Sequence, residues 1–357
     1  MNIAVDAYLD NNLGDDLMIK LFANYFSEHE IYIFKNETIV KKSFEDLPNI
    51  TFFEPQQYKE LLNIIDLHVT IGGSMFILDS FKKWVRFRHR IRNAKILKRR
   101  GIKSAVIGSN LGPFDKNNIG LFLSKWELKY KDLITVRDRM SYDLLIDEKV
   151  KSPVKLFPDI VFSQLSEKKT ATYSLGVSVY RSKDPKYDNF LNYENLTTVV
   201  DQHIKNFGGK VALFAFDSED ENDLVAAYYI KELSQYKKNI EIIPYLNNSD
   251  YFIEEFSKCE KILGIRFHSS VLALRLGIPL FSIYYSNKTI NLMKDLKLQK
   301  FAISLSEFDS KKKQIEININ NNNLAMLSLD KRQQILNKSL GHFKEVEKLM
   351  NQIIIER

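Results

Sequence analysis

At 357 residues the chain exceeds one comfortable hydrophobic core and is expected to form two domains. Apolar residues make up 45% of it, with 24 Phe and 17 Tyr, which excludes global disorder; the lone Cys259 excludes an intrachain disulfide and a cysteine-rich metal site. The net charge of +7 is local, because Lys82–Arg100 holds ten Lys or Arg and no acid and the remainder carries −3, so an anionic surface suits it better than nucleic acid.

Cysteine usage fits a reducing, cytoplasmic setting. Asp6 comes too early for a secretory signal, and no apolar run approaches the roughly 20 residues of a membrane span, so a soluble or peripheral protein is expected. Met1 to Val5 reads as a first buried strand, and Leu9-Asp10-Asn11-Asn12-Leu13-Gly14-Asp15 as a turn into an amphipathic helix carrying Leu17, Leu21, Ala23 and Tyr25. Strand Ile31 to Phe34, helix Tyr58 to Ile65 and strand Leu67 to Ile71 follow, the last ending in Gly72-Gly73-Ser74. In the basic helix, Trp84, Phe87, Ile91, Ala94 and Leu97 form an apolar stripe suited to packing on its own sheet, with cations on the remaining faces. Strand Ile102 to Ile107, loop Ser109-Asn110-Leu111-Gly112-Pro113, helix Ile119 to Lys129, strand Leu133 to Val136 and helix Ser141 to Ile146 complete a first lobe.

The polar stretch Ser166 to Thr170 reads as a linker, after which the alternation restarts. Strands Ser174 to Tyr180, Val211 to Phe216, Ile240 to Tyr245 and Lys261 to Ile265 alternate with helices Asn195 to Asn206, Asp220 to Leu233 and Tyr251 to Ser257. The expected fold is α/β, with two Rossmann-like lobes facing a cleft: residues 1–166, residues 172–328, and a C-terminal helix within 329–357. That helix, from about Asp330 to Ile355, is long enough to return to the first lobe, and Asn318 to Asn323 is a low-complexity loop.

Arg266 and His268 fall at the carboxyl end of strand Lys261 to Ile265, where open parallel sheets bind ligands and where alternate residues project to one side. Ser269 reads as the cap of the next helix, closed by Gly277 and Pro279 before strand Leu280 to Tyr284. Arg181 and Lys288 follow strands of the same sheet, so three cations on one rim describe a pocket for a small polyanion. An interdomain ion pair for Arg266 and solvated surface charges for the others are the competing readings. In the first lobe, Asn12-Leu13-Gly14-Asp15 and Gly72-Gly73-Ser74 are post-strand turns whose glycines admit a ligand close to the backbone, or are plain turns. Arg137-Asp138-Arg139 reads as a local ion-paired turn and Pro158-Asp159 as a break between lobes. There is no G-x-G-x-x-G, P-loop or G-x-S-x-G, and the six histidines lack metal-ligand spacing, so no metal is expected.

Taken in order, Asn12-Leu13-Gly14-Asp15, Ile71-Gly72-Gly73, Gly112-Pro113-Phe114, Arg137-Asp138 with Ser141 and Leu144, Pro158-Asp159, and Arg266-x-His268 with Ala273, Gly277, Pro279, Tyr285 and Lys288 resemble the polysaccharide pyruvyl transferases. The resemblance covers both lobes and implies a fold similar to the GT-B glycosyltransferases. It implies transfer of pyruvate from phosphoenolpyruvate, as co-substrate without a further cofactor, to a sugar as a ketal. On this reading His268 is the acid/base, and Arg266, Arg181, Ser269 and Lys288 hold phosphoenolpyruvate. Asn12, Gly14, Asp15, Gly72, Gly73, Ser74, Ser109 and Asn110 lie on the acceptor side. The implied acceptor is a glycan of a bacterial-type cell surface, free or lipid-linked, which would bring Lys82–Arg100 to anionic lipid at the inner face of the plasma membrane. Ser74 replaces a glycine usual in the family, as does Asp10-Asn11. A GT-B glycosyltransferase with a nucleotide-sugar donor, and a non-catalytic protein binding an anionic surface, are the rival readings.

Overall fold

The computed structural model describes residues 1–9, 11–33, 42–54, 57–73, 75–76, 81–112, 114, 119–181, 193–218 and 221–356. Ser74, and with it Asp10, Phe34, Pro113 and Asp220 of the expected elements, lie outside them.

Strands β1 (Asn2–Ala7), β2 (Glu30–Ile33), β3 (Ile50–Phe52), β4 (Leu67–Ile71), β5 (Lys103–Ser109), β6 (Leu133–Val136) and β7 (Val154–Leu156) form a parallel sheet in the order β3-β2-β1-β4-β5-β6-β7. Every residue of β4 is buried, as a strand between two neighbours and two helical layers requires. Helices α1 (Leu13–Tyr25), α2 (Tyr58–Leu61), α3 (Phe81–Arg99), α4 (Ile119–Leu128) and α5 (Arg139–Asp147) connect them. In α3 the stripe Phe87, Ile91, Ala94 and Leu97 is buried and Trp84 partly so, while Arg86, Arg88, Arg92 and Arg99 are exposed. One helix thus both packs on its sheet and presents cations to solvent.

A second parallel sheet has the order β10-β9-β8-β11-β12-β13, from β8 (Tyr173–Ser178), β9 (Lys210–Ala215), β10 (Ile240–Pro244), β11 (Ile262–Gly264), β12 (Leu280–Tyr284) and β13 (Ala302–Ser304). Helices α6 (Tyr193–Phe207), α7 (Asp223–Leu233), α8 (Ser249–Ser257), α9 (Phe267–Leu276), α10 (Asn287–Asp295) and α11 (Phe308–Asn320) cover it. Its core is built from inward residues of strands and helices together, among them Val177, Val200, Leu213, Ile230, Phe281 and Phe308. In both sheets the chain winds outward from a first central strand and then resumes on its other side, so β1/β4 and β8/β11 are switch points of the Rossmann type.

Three expectations are corrected. The asparagine-rich stretch is not all loop, because α11 continues through Asn318 to Asn320 and Asn318 is buried. The single terminal helix is two, α12 (Leu329–Ser339) and α13 (Gly341–Glu356), broken at Leu340. The break brings Gly341 onto the Phe157 ring, where a Cβ would lie 2.3 Å from a ring carbon. Finally, α9 starts three residues earlier than the Ser269 cap implied, at Phe267 with Arg266 in the capping position, because Arg266 is extended and the next residue already helical.

Met1–Leu9, Asp15–Ser163 and Asn337–Arg357 make one compact unit, and Asp10–Gly14 with Gln164–Leu336 the other. In the first unit α13 packs on β5 and β6 through buried Phe343, Val346, Leu349, Met350 and Ile353. No helix among the described residues is long and apolar enough to cross a membrane.

Candidate functional site

The second unit gathers its chemistry where β8 and β11 end. β11 stops at Gly264, whose missing side chain leaves room for Ser269, since a Cβ there would lie 2.8 Å from the Ser269 hydroxyl. Arg266 follows, its N–H donating to Ser178 Oγ at 3.0 Å, which fixes the turn to the end of β8. Its guanidinium is buried and paired: Nε and Nη2 donate to the two oxygens of Asp223 at 2.8 and 2.5 Å, and Nη1 donates to Glu221. Arg266 Cζ also lies 4.7 Å from the centroid of Tyr180, which stacks on Tyr285 at 4.0 Å with the rings 6° apart. An ion pair forms, but within the second unit rather than between domains as weighed from sequence. Burial, which alone would lower Arg266, is outweighed by Asp223, Tyr285 and Glu221, so the guanidinium stays above its ordinary value. Burial pushes the Asp223 carboxyl up to about 6 against the pull of Arg266, so both partners are charged at neutral pH.

His268 occupies the first turn of α9 and is half-buried, with Phe267 set edge-on at 4.9 Å. Its seat comes from far away in sequence. Asn12 forms an antiparallel bridge with Asp217, Leu13 N–H donates to the Phe216 carbonyl at 3.1 Å, and Asn12 Oδ1 accepts from Gly14 N–H at 3.1 Å. These bonds press the Gly14 backbone onto the imidazole, where a Cβ would lie 1.6 Å from Nδ1. Gly14, expected on the acceptor side, therefore belongs with His268 in the second unit.

Arg181 N–H donates to Asp223 at 3.0 Å, and Lys288 lies in the first turn of α10 behind Ser286. Ser269, expected to meet substrate, is instead fully buried and its hydroxyl donates to the Arg266 carbonyl at 2.6 Å. Its work is to hold the turn that presents His268. Sequence reasoning missed Asp217, Glu221 and Asp223. Their signal was present, because residues 217–223 hold five acids directly after a strand of the same sheet.

The first unit assembles most of the remaining motif residues into one buried network. Arg137 Nη1 donates to Asp159 at 2.7 Å and Nη2 to Asn110 Oδ1 at 2.7 Å. Asn110 N–H reaches the Gly73 carbonyl at 2.9 Å, and Ser109 Oγ donates to the Gly72 carbonyl at 2.7 Å. Gly73 must be glycine here, since a Cβ would lie 2.2 Å from Arg137 Nη2. Asp138 caps α5 through Ser141, whose hydroxyl also accepts from Leu111 N–H at 2.8 Å. Arg137, read from sequence as part of a local ion-paired turn, pairs with Asp159, 22 residues on. Ser109 and Asn110, expected to face an acceptor, are buried with their side chains committed to this network. Asp15 lies in the first turn of α1. Among the described residues, no group of three or more His, Cys, Asp or Glu could hold a metal ion.

Two parallel sheets of matching order, each with its singled-out residues at strand carboxyl ends, define a two-domain α/β protein of the GT-B kind. Similar solved structures include Methanocaldococcus jannaschii UDP-GlcNAc 2-epimerase in complex with UDP-GlcNAc and UDP, with TM-score 0.60 and 13% identity over 94% of this chain and 99% of that one. Glycyrrhiza uralensis UGT73P12 is similar with TM-score 0.57 and 9% identity, covering 100% and 96%, and Anabaena Alr3699/HepE in complex with UDP and glucose with 0.54 and 10%, covering 98% and 99%. At these identities the likeness is one of fold. No curated protein matches the sequence. The polysaccharide pyruvyl transferase family model matches residues 12–287, and the chain belongs to that family, which makes it a transferase acting on polysaccharide.

Proposed function

We propose that the protein moves pyruvate from phosphoenolpyruvate onto two hydroxyls of a cell-surface polysaccharide sugar, or of its lipid-linked precursor, as a ketal with release of phosphate. The observation that carries this is His268 at the β8/β11 switch point, seated on Gly14 in the first turn of a helix. The first turns of α9 and α10 aim backbone N–H groups and positive dipole ends outward, and with Arg181 and Lys288 they suit a carboxylate and a phosphate. Arg266, already held by two carboxylates, acts as a positioning residue that fixes the start of α9.

In the reaction, protonated His268 delivers a proton to the methylene carbon, which becomes the methyl group, and the central carbon becomes electrophilic. One sugar hydroxyl adds there, phosphate leaves, and the second hydroxyl closes the ketal. Of the two hydroxyl protons released, one returns to His268 and the other leaves with phosphate. Clamping both anionic groups lowers the barrier by holding the donor where charge develops.

Phosphate release from phosphoenolpyruvate, read beside mass spectrometry of lipid-linked and synthetic sugars for an added pyruvyl ketal, tests the reading. His268→Ala should lose about 100-fold or more of the rate; a variant with most of its activity rejects the assignment. Because structurally similar proteins carry UDP, thermal shift should compare donors: stabilisation by a UDP-sugar and none by phosphoenolpyruvate would favour a glycosyltransferase.

A further inference from the structure

Helix α4 of the first unit presents the wrong kind of surface to water. Leu121, Leu123 and Leu128 are buried against the core, yet the outward positions Ile119 and Phe122 are also apolar and are 56% and 63% exposed. A helix that has buried one face gains no stability from apolar side chains on the other. Phe122 packs on Trp126 at 6.0 Å, and with Tyr130 these aromatics line a groove of about 550 Å³. Apart from Val150, the rest of its rim is cationic: Lys125, Lys129, Lys149 and Lys151 line the same groove. Glu148 offsets Lys125 at 2.7 Å, whereas the other three lysines stand exposed. The neighbouring α3 joins this face, with Lys95 placed 4.9 Å from the Trp126 ring.

An apolar tip, an aromatic tier and a cationic rim match the order of environments met on entering a charged bilayer interface. We propose that this face, centred on Phe122, docks on a bilayer containing anionic phospholipid. Ile119 and Phe122 enter between the headgroups, Trp126 and Tyr130 sit at headgroup level, and the lysines meet the phosphates. The apolar stripe of α3 is used up in its own core, so the exposed arginines of that helix add charge while α4 supplies the insertion. A nucleic acid would satisfy the cations and aromatics but offers no apolar medium for Ile119 and Phe122.

Co-sedimentation of the full chain with vesicles tests this, using phosphatidylcholine alone and an equal mixture with phosphatidylglycerol. The protein should pellet with the mixed vesicles, remain in solution with the neutral ones, and bind more weakly at high salt. The triple variant Lys129→Glu, Lys149→Glu, Lys151→Glu should lower partitioning on the order of 100-fold, and Phe122→Ser about tenfold. Both should keep the wild-type circular dichroism and melting temperature, because the altered side chains are exposed. Equal binding to both vesicle types, or wild-type binding by the triple variant, overturns the proposal. So does tighter binding to a duplex oligonucleotide than to mixed vesicles, or a dimer that Phe122→Ser dissolves while vesicles are ignored.

Discussion

Gly14 lacks a side chain where the His268 ring needs the space, since a Cβ would fall 1.6 Å from Nδ1. In Gly14→Ala the imidazole has to swing away, and because the displaced atoms belong to a half-buried side chain, the cost falls on geometry rather than on folding. The expected outcome is a fall of about 100-fold in kcat for phosphate release with a nearly unchanged melting temperature. A variant with wild-type kcat would separate His268 from its seat. Neither this contact nor the Arg266–Asp223 pair could be read from spacing, because the partners meet only when strands distant in sequence become neighbours. Sequence does show that Arg266 and His268 share a strand end. It does not show that one has its charge satisfied inside the protein while the other stays half-buried.

Elements were legible where burial was continuous. Leu67–Ile71, Leu133–Val136 and Leu280–Tyr284 are strands as their apolar runs imply, because each lies inside a sheet with neighbours on both sides. Ile50–Phe52, Val154–Leu156 and Ala302–Ser304 were not visible, being three-residue strands at sheet edges, too short for any period to show. The end of the chain was misread for a related reason: a helical pattern runs through Leu340, and only the Phe157 ring opposite Gly341 explains the break. Gly341→Ala should therefore lower stability by about 1–3 kcal/mol, despite the better helix propensity of alanine, as seen in the unfolding midpoint. A stabilised variant would show that the ring yields.

For the whole molecule, acid is the weak direction. Burial lowers His68 to about 3, and His203 and His342 each to about 4. His342 shows why: its ring is fully buried, and the loss of water around the charged form outweighs the Pro158 carbonyl, 2.9 Å from Nε2, which favours it. The folded values lie below the unfolded value of about 6.5, so the unfolded chain takes up protons that the folded chain does not. Stability is full above about pH 6.5 and falls as the pH drops toward 4, by up to about 1.4 kcal/mol per unit for each histidine. The buried carboxyls of Asp6 and Asp223, both raised by burial and the latter to about 6, work in the opposite sense but are two groups against four lowered histidines, His29 among them. Denaturant midpoints should be lower at pH 5 than at pH 7.5, and His203→Gln should flatten the difference; an equal or higher midpoint at pH 5 rejects the account. The two units also differ in when they can be finished. Asn337–Arg357 closes a sheet that begins at Asn2, whereas the second unit needs nothing beyond Leu336. On the ribosome, the second unit emerges before this segment, so the β5 and β6 face stays uncovered until Asn337–Arg357 follows and is the surface a nascent-chain chaperone would find.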